Sequence, residues 1–107
     1  MSPRHPVRLC SVGDLEPGCA RRFDIGSLSV ALVRCGDDFY AIGDQCSHAN
    51  FSLSDGEVLC EEREIECWKH GSTFSLVDGK PQSLPATKGV PVFEVRVEGD
   101  DVMVLVK

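Results

Sequence analysis

Apolar and polar residues trade places along this chain with a period of two, the repeat of a strand that buries one face. The clearest case lies near the carboxyl end. There Phe93, Val95 and Val97 alternate with Glu94, Arg96 and Glu98 before Gly99-Asp100-Asp101 turns the chain into Val102-Met103-Val104-Leu105-Val106. Arg22-Phe23-Asp24-Ile25 alternates in the same way. Ser29-Val30-Ala31-Leu32-Val33 and Phe39-Tyr40-Ala41-Ile42 are continuous apolar runs instead, joined through Gly36-Asp37-Asp38, and predict a hairpin. The longest stretch free of Gly and Pro runs from Glu57 to His70, long enough for a helix. Its apolar residues Val58, Leu59, Ile65 and Trp68 make a poor helical stripe, however, while Glu64-Ile65-Glu66-Cys67 alternates, so a strand is expected. Ten Gly and six Pro spread from end to end leave little room for helices. The expected class is all-β and antiparallel.

At 107 residues the chain holds one domain with a modest core, and no repeat or linker divides it. Hydrophobic residues at 42% and charged ones at 26% suit a globular protein, and no apolar run approaches the roughly 20 residues that span a bilayer. The segment from Met1 to Leu9 is positively charged but lacks the apolar core and cleavage site of a secretory signal, so a cytoplasmic location is expected. Seventeen acids against eleven Lys and Arg give a net charge of −6, which repels a phosphate backbone and an anionic membrane alike. Neither nucleic acid nor membrane is an expected partner. Acidity suits transient docking to a basic patch on another protein, and it equally suits plain solubility. The same two readings apply to the acids Glu57, Glu61, Glu62, Glu64 and Glu66.

Cysteine changes the picture. A reducing cytosol makes the six cysteines candidate metal ligands or small buried hydrophobes before it makes them disulfides. Cys46-Ser47-His48 and Cys67-Trp68-Lys69-His70 form a C-x-H and a C-x-x-H separated by eighteen residues. Common zinc fingers pair Cys with Cys and His with His, whereas each loop here supplies one of each. That mixed set is what a Rieske-type [2Fe–2S] centre requires, with two thiolates on one iron and two imidazoles on the other. A zinc-stabilised interaction module remains the rival from another class. In the cluster reading, two ferric ions, two sulfides and two thiolates sum to no net charge when the imidazoles are neutral. An electron therefore enters more easily than into a four-cysteine cluster, at roughly −150 to +300 mV instead of about −400 mV.

Over nearly its whole length the chain resembles the Rieske ferredoxins, most closely in CSHANFSLSDGEV (Cys46 to Val58), CWKHGSTF (Cys67 to Phe74) and DGKPQSLPA (Asp78 to Ala86). The resemblance implies that Cys46 and Cys67 bind the inner iron and that His48 and His70 bind the outer one. It implies a Pro-containing loop, about residues 79–86, over the cluster. It also implies a Rieske fold: an antiparallel β scaffold from about 1–44 and 77–107, carrying an inserted cluster-binding subdomain at about 45–76. The implied function is that of a monomeric one-electron carrier, not itself an enzyme. It would move electrons from a flavin-containing reductase to a terminal ring-hydroxylating dioxygenase. Similar ferredoxins that accompany iron–sulfur assembly are the alternative. A third relative, the small subunit of assimilatory nitrite reductase, often lacks the four ligands present here.

Respiratory Rieske proteins resemble one another in an extra cysteine in each ligand loop; Phe51 and Lys69 stand in those places here. Ser72 matches a serine that raises the potential in that class, while Phe74 lacks the accompanying aromatic hydroxyl, so a potential at the low end of the range is expected. Cys10, Cys19, Cys35 and Cys60 share no ligand spacing and are expected as core filler or surface residues. Trp68 is expected to shield the site by packing, and His5 to lie exposed in an unstructured terminus.

Overall fold

The computed structural model describes residues 5–26, 28–45, 52–67, 72–82 and 89–106. Six strands form one antiparallel sheet: β1 (His5–Ser11), β2 (Ala20–Ile25), β3 (Leu28–Cys35), β4 (Asp38–Gly43), β8 (Val92–Glu98) and β9 (Asp101–Val106). Their spatial order is β1-β9-β8-β4-β3-β2. The short strands β5 (Val58–Leu59), β6 (Glu64–Glu66) and β7 (Thr73–Ser75) form a second antiparallel sheet in the order β5-β6-β7. The all-β class is as expected, and both predicted hairpins are present. Cys35 opposes Asp38 across the turn Gly36-Asp37, and Glu98 opposes Asp101 across Gly99-Asp100. The strand expected at 64–67 is β6, ending one residue short of Cys67.

One expectation fails at the amino end. His5 begins β1, pairing with Val106, and is not in an unstructured terminus. Pro6 has no N–H to give, and it is tolerated because β1 stands at the end of the sheet order.

The continuous apolar run of β3 has a physical reason: the strand is buried on both faces. Val30 and Leu32 pack with Ala41, Val102, Val104, Cys10 and Leu15 in one core. Ala31 and Val33, pointing the other way, pack with Ile42, Leu53, Ile65, Cys67, Phe74, Leu76 and Val90 in a second. This second core lies between the large sheet and the small one. Strand β8 has a single buried face, so it alternates: Phe93 and Val95 are half-buried while Glu94 and Arg96 are exposed. Among the described residues no helix is long and apolar enough to cross a membrane.

Candidate metal centre

The first ligand segment follows β4 directly. Asp44, only 2% exposed, closes its base. The Asp44 carbonyl accepts from the Leu53 N–H, and its carboxylate Oδ1 accepts from the Ser54 N–H at 3.0 Å. Gln45 and Ser52 form a β-bridge between the same two flanks. Arg22 Nε stands 3.7 Å from the other Asp44 oxygen. The guanidinium also bonds Asp24 and the Ser29 hydroxyl, at 3.1 Å each. A buried carboxylate without such partners would be costly. With them it fixes the two ends of the segment that holds Cys46 and His48.

The second ligand segment is closed in a comparable way. Glu66 opposes Thr73, and the Cys67 N–H donates to the Ser72 carbonyl at 2.7 Å. The side chains of Cys67 and Ser72 are fully buried. Cys67 shares the second core with Leu53, at the base of the first segment, and with Phe74 and Val90. Gly56 makes the joint possible. A Cβ there would collide with the Glu66 carbonyl, so only glycine lets the exit of the first segment lie against the strand leading to Cys67.

A third closed segment lies alongside. Lys80–Gln82 runs beside β7, with the Ser75 N–H donating to Lys80 O at 2.9 Å and the Gln82 N–H to Thr73 O at 2.7 Å. The Val90 N–H donates to Gly79 O at 2.9 Å, joining the two ends of the segment in which the Pro loop is expected. Gly79 has φ +74°, and a Cβ on it would strike the Val90 carbonyl. Asp78 braces this end by accepting from the Lys80 N–H, which holds its carboxyl below the ordinary carboxylate range.

The bases of three chemistry-bearing segments thus meet around one core. Of the expected ligands, Cys67 is a buried free thiol inside that meeting point. Cys46, His48 and His70 lie outside the described residues, as do Phe51, Trp68, Lys69 and Pro85.

Residues 5–94 match the family described as Rieske [2Fe-2S] domain. The chain belongs to that family. This Rieske chain is 40% identical, over 98 residues, to the ferredoxin component of biphenyl 2,3-dioxygenase from Rhodococcus jostii (strain RHA1), with 92% of this chain and 90% of that one covered. It is 41% identical to the ferredoxin subunit of 3-phenylpropionate/cinnamic acid dioxygenase from Escherichia coli (strain K12), covering 92% and 91%. Among solved structures, the ferredoxin of carbazole 1,9a-dioxygenase from Nocardioides aromaticivorans IC177 superimposes with a TM-score of 0.90 at 38% identity, covering 92% of this chain and 95% of that one. A small subunit of a nitrite reductase from Mycobacterium tuberculosis, at 23% identity and a TM-score of 0.88, shares the fold alone.

The cofactor of this Rieske chain is one [2Fe–2S] cluster, and the chain is an electron-transfer protein of ferredoxin type, not a catalyst. The residues present suit that group. Cys67 offers a buried thiol free of any disulfide, and the sequence supplies the second thiol and two imidazoles that such a cluster takes.

Two structural features were not anticipated. Asp44 and its Arg22 partner left only a weak signal, an acid two residues before the C-x-H pair. Cys35 and Cys60, expected as filler or surface residues, are joined as a disulfide between residues 25 apart in sequence, with Cα atoms 5.5 Å apart. Neither side chain is fully buried; Cys35 packs against the second core, and the pair ties the end of β3 to the segment between the ligand pairs. Cys10, as expected, fills a core, while Cys19 is exposed.

Proposed function

We propose that Cys46, His48, Cys67 and His70 hold the cluster, Cys46 and Cys67 on the inner iron and the two histidines on the outer. The cluster-binding subdomain then spans about 45–76, the scaffold about 1–44 and 77–107, and the Pro loop about 79–86. The support is the closure of each ligand segment at its base around the core that buries Cys67. When bound, the cluster accepts and gives up one electron. The protein's part is to exclude water from the thiolate side, through Leu53, Ile65 and Phe74, which share a core with Cys67.

The chain, in this reading, takes electrons from a flavin-containing ferredoxin reductase and delivers them to a terminal ring-hydroxylating dioxygenase in the cytoplasm. One observation carries the partner assignment. A solved complex of reduced oxygenase and oxidised ferredoxin in carbazole 1,9a-dioxygenase contains a chain 39% identical to this one, with a TM-score of 0.85 and 92% of this chain covered. The test is reconstitution. Chemically reduced protein is mixed anaerobically with an oxidised aromatic-ring dioxygenase, and re-oxidation is followed by visible absorbance and by EPR. A second-order transfer is the expected result; no transfer from a protein with an intact cluster would overturn the partner assignment. Metal analysis should give two irons and two labile sulfides per chain, and one zinc without sulfide would refute the centre itself. Replacing His48 and His70 together by Cys adds negative charge, so the potential should fall if the cluster survives.

A further inference from the structure

We propose that Cys35 and Cys60 are a reversible thiol–disulfide pair. At this modification site a cellular dithiol or a hydroperoxide sets how firmly the cluster-bearing segment is tied to the scaffold. The effect on the cluster rests on the ligand assignment above, whereas the chemistry of the pair does not.

The two ends of the bond differ in stiffness. Cys35 closes β3, beside Arg34, whose guanidinium donates to the carbonyls of Gly36 (2.8 Å), Val12 (3.1 Å) and Leu15 (2.8 Å) and lies 5.4 Å from the Phe39 ring. That corner is braced with or without the disulfide. Cys60 sits in the turn after the two-residue β5. The turn is held by the Arg63 N–H to Cys60 O at 3.2 Å, with Arg63 itself at φ +55°. Its other ties are the short β5–β6 pairing, Leu59 opposite Glu64, and the Leu76 N–H to Arg63 O at 2.8 Å. Directly after it come β6 and Cys67. Cutting the S–S bond therefore leaves the corner braced by Arg34 and loosens the turn that leads to Cys67, which hydrogen bonds alone then hold. The covalent ring also encloses the whole first ligand segment, with Cys46 and His48, since they lie between residues 35 and 60.

Both sulfurs belong to partly exposed residues, unlike the fully buried Cys67, so a reagent that spares the ligand can reach them. Disulfides in reducing compartments are usually transient, which favours a responsive bond over a permanent one. In the reducing direction, a thiolate of an external dithiol attacks one sulfur and the S–S bond breaks. The second thiol of the reagent then resolves the mixed disulfide. Two electrons and two protons arrive on Cys35 and Cys60, and the reagent leaves as a disulfide. In the oxidising direction, one thiolate attacks a hydroperoxide, forming a sulfenic acid and releasing an alcohol or water. The other thiol displaces the hydroxyl, released as water, and closes the bond. Peroxide thus closes the bond and tightens the turn that leads to Cys67.

The test uses the whole holoprotein, equilibrated in mixtures of reduced and oxidised dithiothreitol, re-oxidised at the cluster in air, then split. One portion is alkylated and peptide-mapped. The other is given EDTA, and loss of visible absorbance is timed. Cys35 and Cys60 should move together from unlabelled to doubly labelled as the dithiol fraction rises, while Cys19 is labelled throughout. The disulfide form should lose its cluster at least threefold more slowly than the dithiol form. Cys35→Ser with Cys60→Ser should match the dithiol form in every buffer; the wild-type comparison decides the matter if that variant fails to fold. Linkage of Cys35 to another cysteine, or both thiols labelled even after peroxide treatment, would overturn the site. Equal cluster lifetimes in the two forms would overturn its effect. A preparation without visible absorbance would count against the ligand assignment, and the alkylation map would still decide the pair.

Discussion

Single residues decide how the ligand segments are joined. Gly56 has the Glu66 carbonyl where a Cβ would go, so Gly56→Ala must push two backbones apart. Overpacking of this kind costs about 1–3 kcal/mol. The expected outcome is a lowered thermal midpoint and a lower iron content at equal expression, measured by calorimetry and metal analysis. Asp24 offers a pH-dependent counterpart. Hydrogen bonds from Arg22 and then Ser29 hold its carboxyl below the ordinary carboxylate range. A depressed pKa means that this contribution is complete above the ordinary value and disappears as pH falls through the depressed one. Acid titration of stability should therefore be shallower in Asp24→Asn than in the wild type, and identical slopes would show that the exposed carboxylate contributes nothing. At this scale the Rieske family was legible in the C-x-H and C-x-x-H pairs, because ligand chemistry demands particular residue types at short spacing. Asp44 was not, since an acid in a loop looks the same whether it is solvated or stapled to Ser54.

Strands were readable in proportion to how one-sided their burial is. Strand β8 announced itself by alternation, and β3 by an unbroken apolar run that reflects two cores, one on each face. Strand β1 escaped notice because HPVRLCS carries a proline and a short pattern, and its partner β9 lies at the other end of the chain. The Cys35–Cys60 bond escaped for the same reason: a contact between residues 25 apart in sequence has no local signature. Three predictions belong here. Val30→Asp and Val33→Asp should each prevent folding, because the two side chains face different cores and neither core offers a partner for a charge. Val97→Asp, at a side chain 46% exposed, should leave the guanidinium unfolding midpoint nearly unchanged. Reducing the disulfide should lower that midpoint. On loop-closure entropy a ring of this length contributes about 3.5 kcal/mol.

For the molecule as a whole, charge governs encounter. A net −6 makes approach to a basic partner patch faster at low salt. As the Debye length shrinks from about 10 Å at 0.1 M salt to about 3 Å at 1 M, the second-order rate of electron transfer to the oxygenase should fall; a flat profile would point to apolar docking. Fold class and family-level role were legible across the chain because the resemblance ran through scaffold and ligand pairs together. Loop closure was not, because it depends on backbone pairs such as Gln82 to Thr73 that leave no trace in residue type. Those closures have a consequence for change over generations. Each segment is shut at its base by backbone bonds, Leu53 to Asp44, Cys67 to Ser72 and Val90 to Gly79. Length added between those paired ends then meets only the slow entropy of a longer loop, about 0.6 kcal/mol per doubling. The two sheets act as a socket, fixed by bonds among its own residues and indifferent to the length of chain those bonds enclose.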